Sequence, residues 1–122
     1  MPLLGTAASN AAMNAVLVNA TSYFATLHTA SPGTTGANEN GTAGTTITRG
    51  TFSVGAASGG VVSNAAQITI TLSGTPATTA NTHLGVFTAA TAGTYQIGAA
   101  LGSNVTAATV TIAPGAAQFT AS

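Results

Sequence analysis

The sequence predicts a mainly β fold, an antiparallel β-sandwich or flattened barrel of six or seven short strands with a short N-terminal helix. Three observations predict it. Apolar residues alternate with period two in several short stretches, and turn residues recur every eight to twelve positions. Threonine, which is β-branched yet hydratable, fills the opposite face of that alternation. At 122 residues the chain reads as a single β-domain spanning 1–122, long enough to bury roughly two-thirds of its unfolded surface in one core.

Residues 1–22 form an N-terminal helical segment in this reading, with Leu3 and Leu4 ahead of Gly5 and a helix over Thr6 to Ala20. Thr6 or Ser9 is placed to cap it by accepting a hydrogen bond from a free backbone N–H. Ala12, Met13, Val16, Leu17 and Ala20 recur at helical spacing and give one narrow apolar face, with Asn10 and Asn14 on the other side. A helix this short and polar is unstable alone, so it must lie on a sheet or on a neighbouring subunit. Leu3, Leu4, Met13 and Leu17 are therefore candidate interface residues.

Tyr23 to Thr29 switches to period two, with Tyr23, Ala25 and Leu27 facing one way and Phe24, Thr26 and His28 the other. Bulk on both faces predicts a strand covered on both sides. Pro32 donates no ladder hydrogen bond and Gly33 accepts a positive φ, so the strand ends there. A long loop, 30–45, follows; loops of that length usually carry function or contact, and Pro32 and Asn38 join the candidate interface. Thr46 to Val54 resumes as strand, but the phase shifts between Ile47 and Phe52, which predicts a bulge or break near Gly50. Gln67 to Ser73 is the cleanest strand, with Ile68, Ile70 and Leu72 inward. Thr82 to Thr88, Tyr95 to Leu101, Val105 to Ile112 and a terminal strand around Phe119 complete the series.

Charge is the informative part of the composition. Charged residues make up 2% of the chain, against about 25% in an ordinary soluble domain. Glu39 is the one acid and Arg49 the one base, so the formal net charge is zero. Low charge at moderate apolarity is the opposite of the disorder signature, and net charge near zero promotes association. The expectation is a subunit of a larger assembly. No run of roughly 18 apolar residues is present to cross a bilayer, and the first twenty residues lack the basic start of a secretory signal. Without cysteine, disulfides and thiolate metal sites are impossible.

Catalytic chemistry finds little support. Paired carboxylates need a second acid, and a Ser/His/Asp triad would have to use Glu39 from within a loop. His28, His83 and Glu39 nominally make a two-His, one-carboxylate set, but the reading places the histidines several strands apart and makes each a hydrogen-bonded strand residue. Neither phosphate-binding glycine motif occurs, and one arginine cannot neutralise a row of phosphates. No cofactor, metal, nucleic acid, membrane or small-molecule substrate is expected. Glu39 and Arg49, ten residues apart, are expected to form an internal ion pair at the base of the loop.

The stretch LHTASPGTTGANE, Leu27 to Glu39, resembles a family of small proteins from the virion gene clusters of actinobacterial phages, generally labelled tail-fibre-like or minor virion structural proteins. The similarity extends to Asn10–Ala12, Arg49, the GAASGG turn at Gly55–Gly60, HLGVF at His83–Phe87, and Gly98–Gly102. A longer Asn40–Thr46 insert and the scarcity of charge depart from the family pattern. The resemblance implies a virion role without catalysis, and transfers no functional residues. The expectation is a minor capsid or decoration protein on the outside of the head shell. It would be made in the bacterial host cytoplasm and partnered by copies of itself and the major capsid protein. The alternative is a tail or tail-tip component involved in host attachment. A carbohydrate-binding module is disfavoured, because such sites present aromatic platforms and the chain has no tryptophan.

Overall fold

The computed structural model describes residues 5–18, 21–40, 45–74 and 80–120. The fold is mainly β, with one short N-terminal helix and antiparallel sheets stacked as a sandwich. Helix α1 spans Thr6–Val16, and the strands are β1 (Ser22–His28), β2 (Thr45–Thr48), β3 (Gly50–Ser53), β4 (Val61–Ser63), β5 (Ile68–Gly74), β6 (Asn81–Phe87), β7 (Tyr95–Val105), β8 (Thr109–Ile112) and β9 (Gln118–Thr120). They form a four-stranded sheet ordered β3-β1-β6-β7, a three-stranded sheet β2-β5-β8, and the pair β4-β9. Every pairing is antiparallel.

The main core lies between the two larger sheets. Ala25, Leu27, Phe52 and Val86 on one side and Ile68 and Ile70 on the other are fully buried, as their alternation predicts. The expected break near Gly50 is present and does more than bulge: β2 belongs to one sheet and β3 to the other, so the chain changes layer at Arg49. Any side chain at position 50 would collide with the Thr69 carbonyl. The corner where the sheets meet therefore requires glycine.

Several expectations need correcting. The helix stops at Val16, because Leu17 is already extended, and its N-cap is Gly5, which has no side chain to cap with; Ser9 is buried inside the helix. Met13 and Leu17 are not interface residues. They are 3% and 0% exposed and belong to the domain's own core, on a helix packed against β4 and β9. Asn10 lies on the same side of α1 as Leu17, not opposite it as expected, and its Oδ1 accepts the Gly60 N–H at 2.7 Å just ahead of β4. Leu3, Leu4 and Ala20 lie outside the described residues. Val105 ends β7, and a turn over 106–108 separates it from β8. Nine strands appear among the described residues, more than the six or seven expected, because the Thr46–Val54 strand divides into β2 and β3 and the three-residue β4 gives little period-two signal.

The far end of the sandwich is closed by a polar node. The buried Asn64 donates from Nδ2 to the carbonyls of Ala66 and Ala113, and its Oδ1 accepts the Ala117 N–H, each at 2.9 Å. One fully bonded amide thus joins the turn before β5 to the turn before β9.

Candidate functional site

The outer face of the four-stranded sheet carries Thr26 and His28 from β1, and His83, Gly85 and Phe87 from β6, with β7 alongside. Residues 29–40 fold back over this face. Gly33, Gly36 and Asn38 all take positive φ, which glycine and asparagine tolerate best. The Pro32 carbonyl accepts N–H bonds from both Gly36 and Ala37. Gly36 sits so close to Phe87 and Tyr95 that an added Cβ would lie 2.6 Å and 2.8 Å from them. The loop is thus a folded lid, and β1 is covered on both faces, as its sequence predicts.

This arrangement revises two candidate interface residues. Pro32 is buried, with its ring against Gly98, and acts as part of the lid's underside. Asn38 stays exposed, but its Nδ2 donates to the Ser31 carbonyl at 2.8 Å, holding the loop's own shape.

Arg49 and Glu39 meet, as expected. Nε and Nη2 of Arg49 both reach Glu39 Oε2, at 2.9 Å and 2.8 Å. Nη1 donates to the carbonyls of Ala89 and Ala92, both at 2.7 Å. The guanidinium also stands 3.9 Å above the Phe87 ring centroid, a cation–π contact of about 2 kcal/mol where water is excluded. Arg49 is 8% exposed and Glu39 26%. The sequence signals the ion pair; it does not signal the carbonyls or the aromatic ring, which lie some forty residues away.

His28 and His83 are directly opposite on adjacent strands, and His28 also bridges Glu39. The expectation that several strands separate the histidines is therefore wrong: β1 and β6 pair although more than fifty residues lie between them. Proximity does not make a metal centre here. Nδ1 of His28 donates to the Ala37 carbonyl at 2.7 Å, its Nε2 lies against Gly85, and Nδ1 of His83 meets the Thr82 hydroxyl at 2.7 Å. Among the described residues no three potential ligands converge. Burial is the main influence on His28 and holds its pKa below the ordinary imidazole value; burial likewise raises that of Tyr95.

No protein-family model, curated protein or solved structure matches this chain.

A second feature lies beyond the lid. A groove of about 300 Å³ runs between the end of β7 and strands β8 and β9, lined by Leu84, Leu101, Ile112, Ala117 and Phe119. Gln118 is the only polar side chain in its lining, and backbone groups supply the rest of its polar surface. Where it opens, β7 carries extra residues opposite the step from Asn81 to His83, which bends the strand away from a flat edge.

Proposed function

We propose that this chain is a non-enzymatic structural subunit of a bacteriophage particle, a minor capsid or decoration protein seated on the outside of the head shell. The observation that carries this reading is the fate of the two charged side chains. Both are turned to internal work, Arg49 on Glu39, two carbonyls and Phe87, so that what the described residues offer a neighbour is chiefly uncharged: threonine, serine, asparagine, glutamine, glycine and alanine, with the exposed Val18. A neutral module can repeat many times over a shell without accumulating repulsion. Its contacts would rest on shape and apolar burial, about 25 cal/mol per Å² before association costs. The LHTASPGTTGANE resemblance supplies the particle, and copies of this chain and the major shell protein are the partners.

A tail or tail-tip role is the second reading, favoured by one feature. The crest of the lid, Thr34 and Thr35, is exposed on a loop whose underside is fixed, which is a geometry suited to touching a host surface.

Localising the labelled protein on particles by micrograph, with its copy number, tests the assignment: hundreds of copies on the head support decoration, and three to a few dozen at the tail support the alternative. Release from particles should be nearly indifferent to ionic strength, because no exposed ion pairs are available to screen. Stripping by moderate salt would contradict an apolar contact, and a protein absent from particles would contradict both readings.

A further inference from the structure

The lid is fastened to the sheet at one imidazole. His28 is fully buried, and its Nδ1–H is held by the Ala37 carbonyl at the top of the lid. Its ring stacks 6.1 Å from Phe87, with planes 11° apart, and stands edge-on to Tyr95 at 6.4 Å. Nε2 is buried without a hydrogen-bond partner among the described residues and abuts Gly85 so tightly that a methyl there would collide with it. In the neutral ring this is tolerable, since Nε2 bears a lone pair and no proton. A second proton would place an unpaired N–H and a charge in a dry site, which is costly.

The groups around the ring come from four elements. Burial opposes the charged ring most strongly; the Ala37 carbonyl and Glu39, both from the lid, favour it; His83 from β6 and Arg49 from the β2–β3 junction oppose it. Tyr95 from β7 presents only its aromatic edge. Glu39 is already engaged by Arg49, so its attraction is shared.

We propose that His28 is the latch of an acid-opened lid: a second ring proton, accommodated only when the ring reaches water, lifts residues 29–40 off the sheet and uncovers Phe87 and Tyr95. The lid is the part that yields because it is lightly tied. Besides the His28 bond it is held by Asn40, whose N–H donates to the Leu27 carbonyl and whose Nδ2 donates to Asn81 Oδ1 at 2.9 Å, by the Arg49–Glu39 pair, and by the packing of Pro32 and Gly36; the Thr29 N–H to Asn38 carbonyl bond lies within the lid itself. By contrast, β1 is laddered on both edges, to β3 and β6. Local opening follows the weaker set. The sign is fixed by linkage: the open form binds the proton better, so closure is complete above about pH 6.5. It weakens as pH falls below that value, by up to about tenfold per pH unit, until the closed form itself titrates. The proposal does not depend on the particle reading.

The test is amide exchange and histidine-ring NMR on the full chain between about pH 7.5 and 4.5, a range chosen around the ordinary imidazole value. Protection factors at Thr29, Gly36 and Asn40 should fall by up to about tenfold per pH unit, with His28 titrating below its ordinary value and Val86 in β6 keeping its protection. Unchanged lid protection, loss of Val86 protection together with the lid, or titration of His28 at or above the ordinary value would each overturn the proposal. The His83→Asn protein should open in the same way; abolition of the transition there would move the effect to the wrong histidine. His28→Asn keeps a donor for Ala37 and cannot take the proton, so its lid protection should not vary with pH over this range, and persistence of the transition would refute the latch. The wild-type and His83→Asn measurements decide the question even if His28→Asn does not fold.

Discussion

The inner and outer faces of β1 and β6 are buried to a similar degree by different means. Inside, Ala25, Leu27, Leu84 and Val86 meet Phe52, Ile68 and Ile70, and apolar area alone provides the hold. Outside, Thr26, His28 and Phe87 lie under a glycine-rich lid pinned by an arginine, a glutamate and backbone carbonyls. The three buried side-chain polar atoms lacking a partner among the described residues, Thr26 Oγ1, His28 Nε2 and Asn40 Oδ1, lie on that outer face or at the lid's end. Apolar contact responds little to pH or ionic strength; polar closure leaves unpaired groups that a proton or a lost charge can act on. One sheet thus carries a permanent side and a conditional one.

Substitutions on either side should separate the two. Phe52→Ala, which empties the centre of the inner face, should cost about 3–5 kcal/mol in denaturant unfolding, enough to threaten folding of a domain this size. A loss under about 1 kcal/mol would mean that the inner face is not the principal core. Arg49→Met removes the pair, two carbonyl bonds and the ring contact together. It should cost about 2–3 kcal/mol, discounted because Glu39 retains some water, and should raise proteolysis within 29–40 ahead of global unfolding. Uniform loss of protection across the domain would erase the proposed difference between the faces. Glu39→Gln leaves Arg49 its carbonyls and its ring, so about 1 kcal/mol is expected; a cost equal to that of Arg49→Met would show that the charge pair, and not the carbonyl cage, holds the lid.

The inner face was legible from the sequence because alternation reports directly on it: Ile68, Ile70, Leu84, Val86 and Phe52 all stand where period two places them. The layer change at Gly50 was visible as a phase shift between Ile47 and Phe52. The lid was not visible, because Gly33, Thr34, Thr35 and Gly36 carry no hydrophobic signal. Their cover for Phe87 and Tyr95 depends on contacts across some fifty residues. The same separation concealed the adjacency of His28 and His83. Met13 and Leu17 read correctly as an apolar stripe, but a stripe does not say which surface receives it; that surface is the pair β4-β9, of which β4 is too short to recognise. Asn64 looked like one more loop asparagine because two of its three bonds reach Ala113 and Ala117, some fifty residues further along the chain.

The crossing at Thr48–Arg49–Gly50 has a mechanical consequence. The polypeptide passes from one layer of the sandwich to the other through a single residue, and that residue is clamped to Glu39, Ala89 and Ala92. Lateral slip of one layer over the other would have to drag the guanidinium out of its seat. Under shear the domain should therefore resist at this rivet first, and yield elsewhere only once it has torn free.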